Sequence, residues 1–600
     1  MRRILLSLAL ISLVSLSAKA QGWPENYGGV MLQGFYWDSY DDSQWTVLEE
    51  QAEELSKYFD LIWVPNSGYC NTLTNFMGYL PIWWFDHKSA FGTEDELRSM
   101  ISTYKELGTG IIEDVVINHK NGNTDWCDFP TEIWNGDTVE WSLADICVGD
   151  DDGETEAQGY ALAGAADTGE DFNGGRDLDH TGENVQKNVK IYLDFLLNDL
   201  GYIGFRYDMV KGYAPEYTSI YNQYANPTYS VGEYWDGTTA NVEEWIDGTK
   251  DDDGNIMSAA FDFPLKYIIN NVFASASGWS SLSGSCLAND ENYRRYAVTF
   301  VDNHDTYRTG ESSSAPLNAN IEAANAFLLA MPGTPCVFLR HIQMYEVPIK
   351  KLIFARKAAG LHNMSEIVTQ TAETDGFILE VKGTNGSVLL LLGEPTSAST
   401  DGYSLAVEGT NYQYYVSEDV DLTGIDDIVS TDEETVVPDF CTMSDDELCA
   451  FFEKPSSWTG TLRCWAWNST TNFTGGSWPG VTCSYVGSTD EGLSVYKWAG
   501  GTLGDDIPTG IIFNSNSGNT QTNDFEFVNG GYYDVNGLQA VVSGVSEIKA
   551  DDESDKCKGN VYSVDGRKIR TLADETTQSE ALDGLSKGVY IVGGKKFIKQ

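Results

Sequence analysis

Three carboxylic acids stand where short apolar runs give way to glycine or polar residues. Asp208 follows Gly204-Phe205-Arg206-Tyr207, Glu233 follows Tyr229-Ser230-Val231-Gly232, and Asp305 follows Val301-Asp302-Asn303-His304. Cleaving a glycosidic bond with retention takes one carboxylate as nucleophile and a separate carboxylic acid as proton donor, held about 5 Å apart. A third acid can grip sugar hydroxyls and help fix a distorted ring. Arg206 lies two positions before Asp208, so on a strand both side chains face one side, and its charge would keep Asp208 ionised.

Acids so far apart in sequence meet only if a scaffold gathers them. Short apolar runs at Val30–Phe35, Leu61–Pro65, Gly110–Ile117, Gly204–Tyr207, Tyr229–Gly232, Ala259–Phe263, Ala297–Val301 and Pro335–Leu339 read as strands. Amphipathic stretches lie between most of them, among them Val47–Tyr58, Glu94–Leu107, Asn184–Leu200 and Ile321–Met331. Eight strands alternating with helices predict an α/β fold, a (β/α)8 TIM barrel, over residues 21–358. An open doubly wound sheet is the alternative. In such a barrel the active site forms at the carboxyl ends of the strands. An Asp-, Gly- and Trp-rich insertion over 119–176, after the third strand, reads as a separate lobe. Residues 359–417 are expected to form a small antiparallel β domain, 418–440 an acidic linker, 441–544 a β-sandwich and 545–600 a strand-rich tail.

Six hundred residues exceed what one core serves, so several domains are expected. A formal net charge of -53 argues against nucleic acid or anionic membranes as partners, because both call for basic surface. Seventeen Trp and 32 Tyr supply the flat faces on which sugar rings stack. Arg2 and Arg3 precede the apolar Ile4–Val14 run, and Ala18-Lys19-Ala20 offers small cleavage-site residues. Residues 1–20 therefore read as a secretory signal peptide cleaved near Ala20. No later stretch is apolar for long enough to span a bilayer. The expected location is secreted or outer cell surface, with the periplasm as alternative, and a monomer is expected. Cysteines in an exported chain can pair: Cys127 with Cys147, or two pairs among Cys441, Cys449, Cys464 and Cys483, with buried free thiols an equal explanation.

The segments Asp114-Val115-Val116-Ile117-Asn118-His119, Arg206–Gly212, Val231-Gly232-Glu233 and Val301–Asp305, in this order, resemble the conserved regions of the α-amylase family, glycoside hydrolase family 13, as do Gln33-Gly34-Phe35-Tyr36-Trp37, Lys211-Gly212-Tyr213 and Phe300–Thr306. The likeness is to its plant-type and related bacterial members and spans roughly residues 23–415. It implies endo-hydrolysis of internal α-1,4 bonds in starch and related α-glucans through a covalent glycosyl-enzyme intermediate. Asp208 would be the nucleophile, Glu233 the general acid and then base, and Asp305 the acid that favours the distorted ring. By the same resemblance His119 and His304 bind hydroxyls of the reacting glucose, Tyr79 stacks on it, and Lys211 contacts sugar on the leaving-group side. It also implies a Ca²⁺ ion held by Asn118, Asp167 and Asp177 with backbone carbonyls of Glu170 and Gly212, an all-oxygen set that suits the metal. Arg340-His341-Ile342-Gln343-Met344-Tyr345 departs from the family's aromatic-rich loop after strand eight. An α-glucanotransferase or maltogenic hydrolase would use the same machinery, and a starch-capture protein would not need it.

Trp465 and Trp467 alternate with Cys464 and Ala466 on one predicted strand, and Trp478 follows before Pro479-Gly480. With Phe452–Trp458 this pattern resembles carbohydrate-binding module family 26, which implies that the three Trp stack on adjacent glucose rings. The tail, with Val561–Lys568 and Gly588–Val592, resembles C-terminal sorting domains of Bacteroidota secretion.

Overall fold

Eight parallel strands close into a barrel in strict chain order: β1 (Met31–Gln33), β2 (Leu61–Val64), β3 (Gly110–Val115), β4 (Gly204–Tyr207), β5 (Tyr229–Gly232), β6 (Ala259–Phe261), β7 (Ala297–Phe300) and β8 (Thr334–Phe338). β8 pairs with β1 through Cys336 opposite Met31, which seals the sheet. The structure, a computed structural model, describes residues 22–542 except 73–75, 150–152, 309–314, 432–436, 439, 445–446, 469, 490–491, 505, 516–519 and 536, and beyond 542 the backbone of several short strands. The predicted signal peptide lies outside the described residues. The backbone of the tail includes Asn560–Ser563 paired with Gly588–Val592, but nothing there bears on sorting.

The chain divides into two compact units, residues 1–429 and 430–600. In the first, each barrel strand begins or ends within two residues of its predicted run, because strands covered on both faces read as continuous apolar stretches. Glu94–Leu107 forms as predicted. Thr93 and Glu96 make a reciprocal capping box, Leu97, Met100, Ile101 and Tyr104 turn one face inward, and Gly108 ends the helix at φ 89°. The predicted Val47–Tyr58 helix is instead two short ones, Trp45–Glu50 and Ala52–Leu55. The exposed Glu50-Gln51 pair at the break brings no apolar contact to hold a continuous turn there.

The inserted lobe leaves and rejoins the barrel through a two-residue antiparallel pair, His119 opposite Asp177 and Lys120 opposite Arg176. After the barrel comes a five-stranded antiparallel sheet, Glu366–Ala372, Gly376–Lys382, Ser387–Gly393, Tyr412–Ser417 and Tyr403–Gly409 in that spatial order. The expected linker needs correction. Its first half belongs to the first unit, because Val420, Ile425 and Ile428 bury themselves in that unit's core despite the acids around them.

The second unit holds a mixed five-stranded sheet, in which Glu447–Lys454 and Gly531–Tyr533 run parallel, and an antiparallel four-stranded one, and the two share a core containing Phe452, Leu462, Cys464, Ala466, Trp498, Ile511 and Phe513. Cys441, Cys449, Cys464 and Cys483 are buried free thiols, so of the two explanations offered for these four the thiol one holds. Among the described residues no helix is long and apolar enough to cross a membrane.

Candidate functional site

Asp208, Glu233 and Asp305 all emerge just beyond barrel strands, on the loops after β4, β5 and β7. What joins the first two is one side chain. Arg206, fully inside the barrel mouth, places its Nη1 2.6 Å from Asp208 Oδ1 and 2.7 Å from Asp114 Oδ1, and its Nη2 2.8 Å from Glu233 Oε1. Two carboxyls held by the two arms of one planar guanidinium lie side by side. The Met209 amide donates to Glu233 Oε2 at 3.1 Å, fixing the carboxyl plane.

Electrostatics separate these acids. Burial pushes the Glu233 carboxyl well above the usual carboxylate range; Arg206 opposes this, and the negative charges of Asp208 and Asp305 add to it. Asp305 goes the other way. Its burial is outweighed by His304 and by the Arg206 and Arg308 charges, which hold it below the ordinary value. Asp114, buried at the end of β3, is raised by desolvation and Asp208 against the pull of Arg206.

The histidines and tyrosine named from sequence sit around the same point. Gln33 Nε2 donates to His304 Nδ1 at 2.9 Å, so the ring's own N–H falls on Nε2. That N–H lies 2.7 Å from the Tyr79 hydroxyl and 3.1 Å from Asp305 Oδ2. Tyr79 in turn donates to Asp114 Oδ2 at 2.8 Å. The Tyr79 ring is near-parallel to His304, at 5.4 Å and 11°, and to Trp37, at 5.9 Å and 11°. His119 is held by a 2.7 Å contact from Nε2 to the Tyr79 carbonyl, and desolvation keeps its pKa low. Lys211 lies apart from this cluster, bridging Asp236 at 3.2 Å and Glu170 at 3.3 Å.

Sequence reasoning gave Asp114 no role, although it binds Arg206, Tyr79 and the Trp63 indole at once. The signal was present. On β3 the alternation puts Glu113 outward and Asp114 inward, and an acid pointing into a barrel needs a partner.

The residues proposed for calcium also converge. Asn118 Nδ2 donates to Asp177 Oδ1 at 3.0 Å, while the buried Asn118 Oδ1 accepts no hydrogen bond. Gly212 is packed so closely on that oxygen that a Cβ there would fall 2.0 Å from it. A Cβ on Gly169 would fall 2.3 Å from the Lys211 carbonyl oxygen, so the 167–171 loop lies directly on the Gly212 backbone. Cys147 spans Asp167 and Asp177, its thiol 3.9 Å from Asp167 Oδ1 and its amide 2.9 Å from the Asp177 carbonyl. Among the described residues no three His, Cys, Asp or Glu side chains are arranged to hold a metal ion. A metal here would rely on amide and backbone oxygens, and the buried, unsatisfied Asn118 oxygen fits that need.

In the second unit Cys464 and Ala466 are fully buried, and Trp465 and Trp467 face outward between them. Trp465 meets Trp478 with centroids 5.8 Å apart and planes at 66°, and Trp478 is 51 % exposed. The Trp467 ring lies over Gly510 of the neighbouring strand, where a Cβ would come within 2.6 Å of it. Trp465 and Trp478 thus touch each other, and Trp467 lies across Gly510 on the same outward face of its strand as Trp465.

Residues 72–364 match the family model of the alpha-amylase catalytic domain, and residues 450–527 match starch-binding module 26. The sequence is 30 % identical over 367 residues to probable alpha-amylase 2 of Arabidopsis thaliana, an alignment covering 58 % of this chain and 84 % of that protein. It is 28 % identical over 372 residues to the chloroplastic alpha-amylase 3 of the same plant, of whose length it covers 39 %. It is 28 % identical over 424 residues to the glucan 1,4-alpha-maltotetraohydrolase of Stutzerimonas stutzeri, covering 65 % of this chain and 74 % of that enzyme.

Proposed function

Because this chain belongs to the α-amylase family and carries a starch-binding module, we propose that it hydrolyses internal α-1,4-glucosidic bonds of starch with retention of configuration. The observation that carries the reading is the single Arg206 guanidinium shared by Asp208 and Glu233, which holds the two carboxyls side by side at the barrel mouth. Arg206 at 2.6 Å fixes the Asp208 carboxylate in place as the nucleophile. Glu233, whose carboxyl burial and two neighbouring acids push well above the usual carboxylate range, is suited to donate a proton to the leaving glycosidic oxygen. Once the leaving sugar departs, the same carboxylate takes a proton from the attacking water, and the ester to Asp208 breaks. Asp305, kept charged by His304, faces a ring that flattens and gains positive character in the transition state.

Asn118, Asp167 and Asp177, with the carbonyls of Glu170 and Gly212, would hold a calcium ion. The ion would supply structural tethering of the lobe at its neck, beside His119. Trp465 and Trp478 would grip polymer. Export of the chain rests on its first twenty residues and surface display on the likeness of its tail.

Iodine staining of soluble starch tests the assignment. Glu233→Gln should lose about 10²–10⁴-fold in rate, the usual worth of a general acid, and Asp208→Asn at least as much. Two variants that both destain starch at the parent rate would reject it. Products of maltoheptaose followed over time separate endo-hydrolysis from transfer, which would give longer or cyclised glucans.

A further inference from the structure

Behind the loop that carries His304 and Asp305 lies a charged cluster with no part in the chemistry above. Asp302 is fully buried, and its carboxylate is approached from four directions. The Thr306 hydroxyl donates to Oδ1 at 3.0 Å, and the Leu317 amide donates to Oδ2 at 3.0 Å. Lys266, on the helix Phe263–Phe273 after β6, places Nζ 3.3 Å from Oδ1 and also donates to the Ala315 carbonyl at 2.9 Å. His341, on the helix Leu339–Met344 after β8, places Nε2 3.5 Å from Oδ2. Asn325 gives its amide hydrogens to the Ile321 carbonyl and to His341 Nδ1, so the imidazole N–H is on the nitrogen that faces Asp302.

The cluster reaches the catalytic turn through two short links. Thr306 Oγ1, which donates to Asp302, accepts the Asn303 amide at 3.0 Å. Asn303 Oδ1 then accepts the amides of Asp305 at 3.1 Å and Thr306 at 2.8 Å. Asp302 thus anchors the turn that aims Asp305 and ties it to elements following β6 and β8. The His341 that replaces an aromatic loop in the sequence is one of its anchors.

We propose that Asp302 is a positioning residue for the reaction, holding the Asp305 carboxylate in its transition-state orientation. The proposal rests on the reading of Asp305 given above. Because Asp305 acts on the distorted ring rather than on the resting sugar, loosening it lowers kcat and leaves KM nearly unchanged. A displacement of about 1 Å at such a site costs up to about 100-fold.

The test is a double-mutant cycle on maltoheptaose with Asp302→Asn, Asp305→Asn and the pair, each checked for native circular dichroism. Asp302→Asn is expected to lower kcat about 10- to 100-fold with KM within about twofold. In the Asp305→Asn background the same change should have almost no effect on kcat, since the group it positions is already gone. Equal losses in both backgrounds would overturn the proposal and leave Asp302 a merely structural anion. If Asp302→Asn does not fold, Thr306→Val takes its place. It keeps the Lys266–Asp302 pair, removes the linking hydroxyl, and should show the same dependence on Asp305. Asp305→Asn with undiminished activity would instead reject the role of Asp305 itself.

Discussion

On the outer side of β3, one residue before Asp114, Glu113 is buried in a network whose hydrogens can be counted. His87 Nε2 lies 3.1 Å from the Trp84 carbonyl, which only accepts, so this nitrogen donates. Desolvation pushes His87 down to about 4, so the ring is neutral and Nδ1 is an acceptor. The Ser67 hydroxyl, 2.8 Å away, must give its one hydrogen to Nδ1. It then has only lone pairs left for Glu113 Oε1, also at 2.8 Å, and for Tyr202 at 3.0 Å. Glu113 must therefore be the donor, a protonated carboxyl. Its pKa, raised to about 8 by burial first and by Asp114 in the same sense, agrees.

A carboxyl that keeps its proton in the fold and loses it on unfolding makes stability fall as pH rises. Between about 4.5 and about 8 the folded state holds one proton more than the unfolded chain, so this group's contribution declines by about 1.4 kcal/mol per pH unit. It totals about 5 kcal/mol and then levels off, because above about 8 both states are ionised. In Glu113→Gln an amide nitrogen in place of Oε1 keeps a neutral donor toward the Ser67 hydroxyl, gives up the acceptor for the Ser67 amide, and cannot ionise. The variant should lie about 1–3 kcal/mol below the parent near pH 4.5, for the lost acceptor, and gain several kcal/mol on it between pH 4.5 and pH 8. Urea unfolding of the barrel unit, followed by near-ultraviolet circular dichroism at several pH values, reads the difference directly. Tyr192, Tyr202, His87 and Asp114 face Glu113 in both proteins, so their own contributions largely cancel. Parallel curves for parent and variant across this range would show that Glu113 is ionised in the fold and the proton count is wrong.

Other outcomes follow from the same geometry. The alkaline limb of kcat/KM reports loss of the Glu233 proton and should lie well above pH 4.5; a limb at the ordinary glutamate value would contradict the burial of that acid. Chelation should lower the melting temperature of the barrel unit, and Asn118→Ala should remove most of that response; elemental analysis finding no calcium in protein purified without chelator would refute the site. Trp478→Ala should weaken adsorption to granular starch by about 1–2 kcal/mol, taking the loss of one stacked ring as the scale, while soluble starch is cleaved at the parent rate. Undiminished adsorption would remove Trp478 from the binding face.

The barrel was legible because each of its strands is covered on both sides and reads as an apolar run, whereas the antiparallel sheet after it was read only in part. The alternating runs Phe377–Val381, Val388–Leu392 and Gln413–Val416 mark its three inner strands, while Glu366–Ala372 and Tyr403–Gly409, which show no such run, are its edges. Edge strands are half exposed and lack the alternation that marks a buried face. The acids were legible from their places at strand ends. Asp114 and Asp302 were not given roles, since each sits one turn away from a better-known motif residue and its importance lies in which partners reach it from distant loops. His341 appeared only as a departure from a pattern; its burial against Asp302 depends on a helix after β8 that no local signal announces.

The 66° between Trp465 and Trp478 has a consequence for which polysaccharides this protein ignores. Cellulose is a flat ribbon, and a ribbon laid on one indole leaves the other meeting it edge-on. A chain that bends from one residue to the next can rest a sugar on each wall of the wedge. Discrimination between these two polymers of glucose would then come from curvature, with no hydrogen bond needed to read the anomeric linkage.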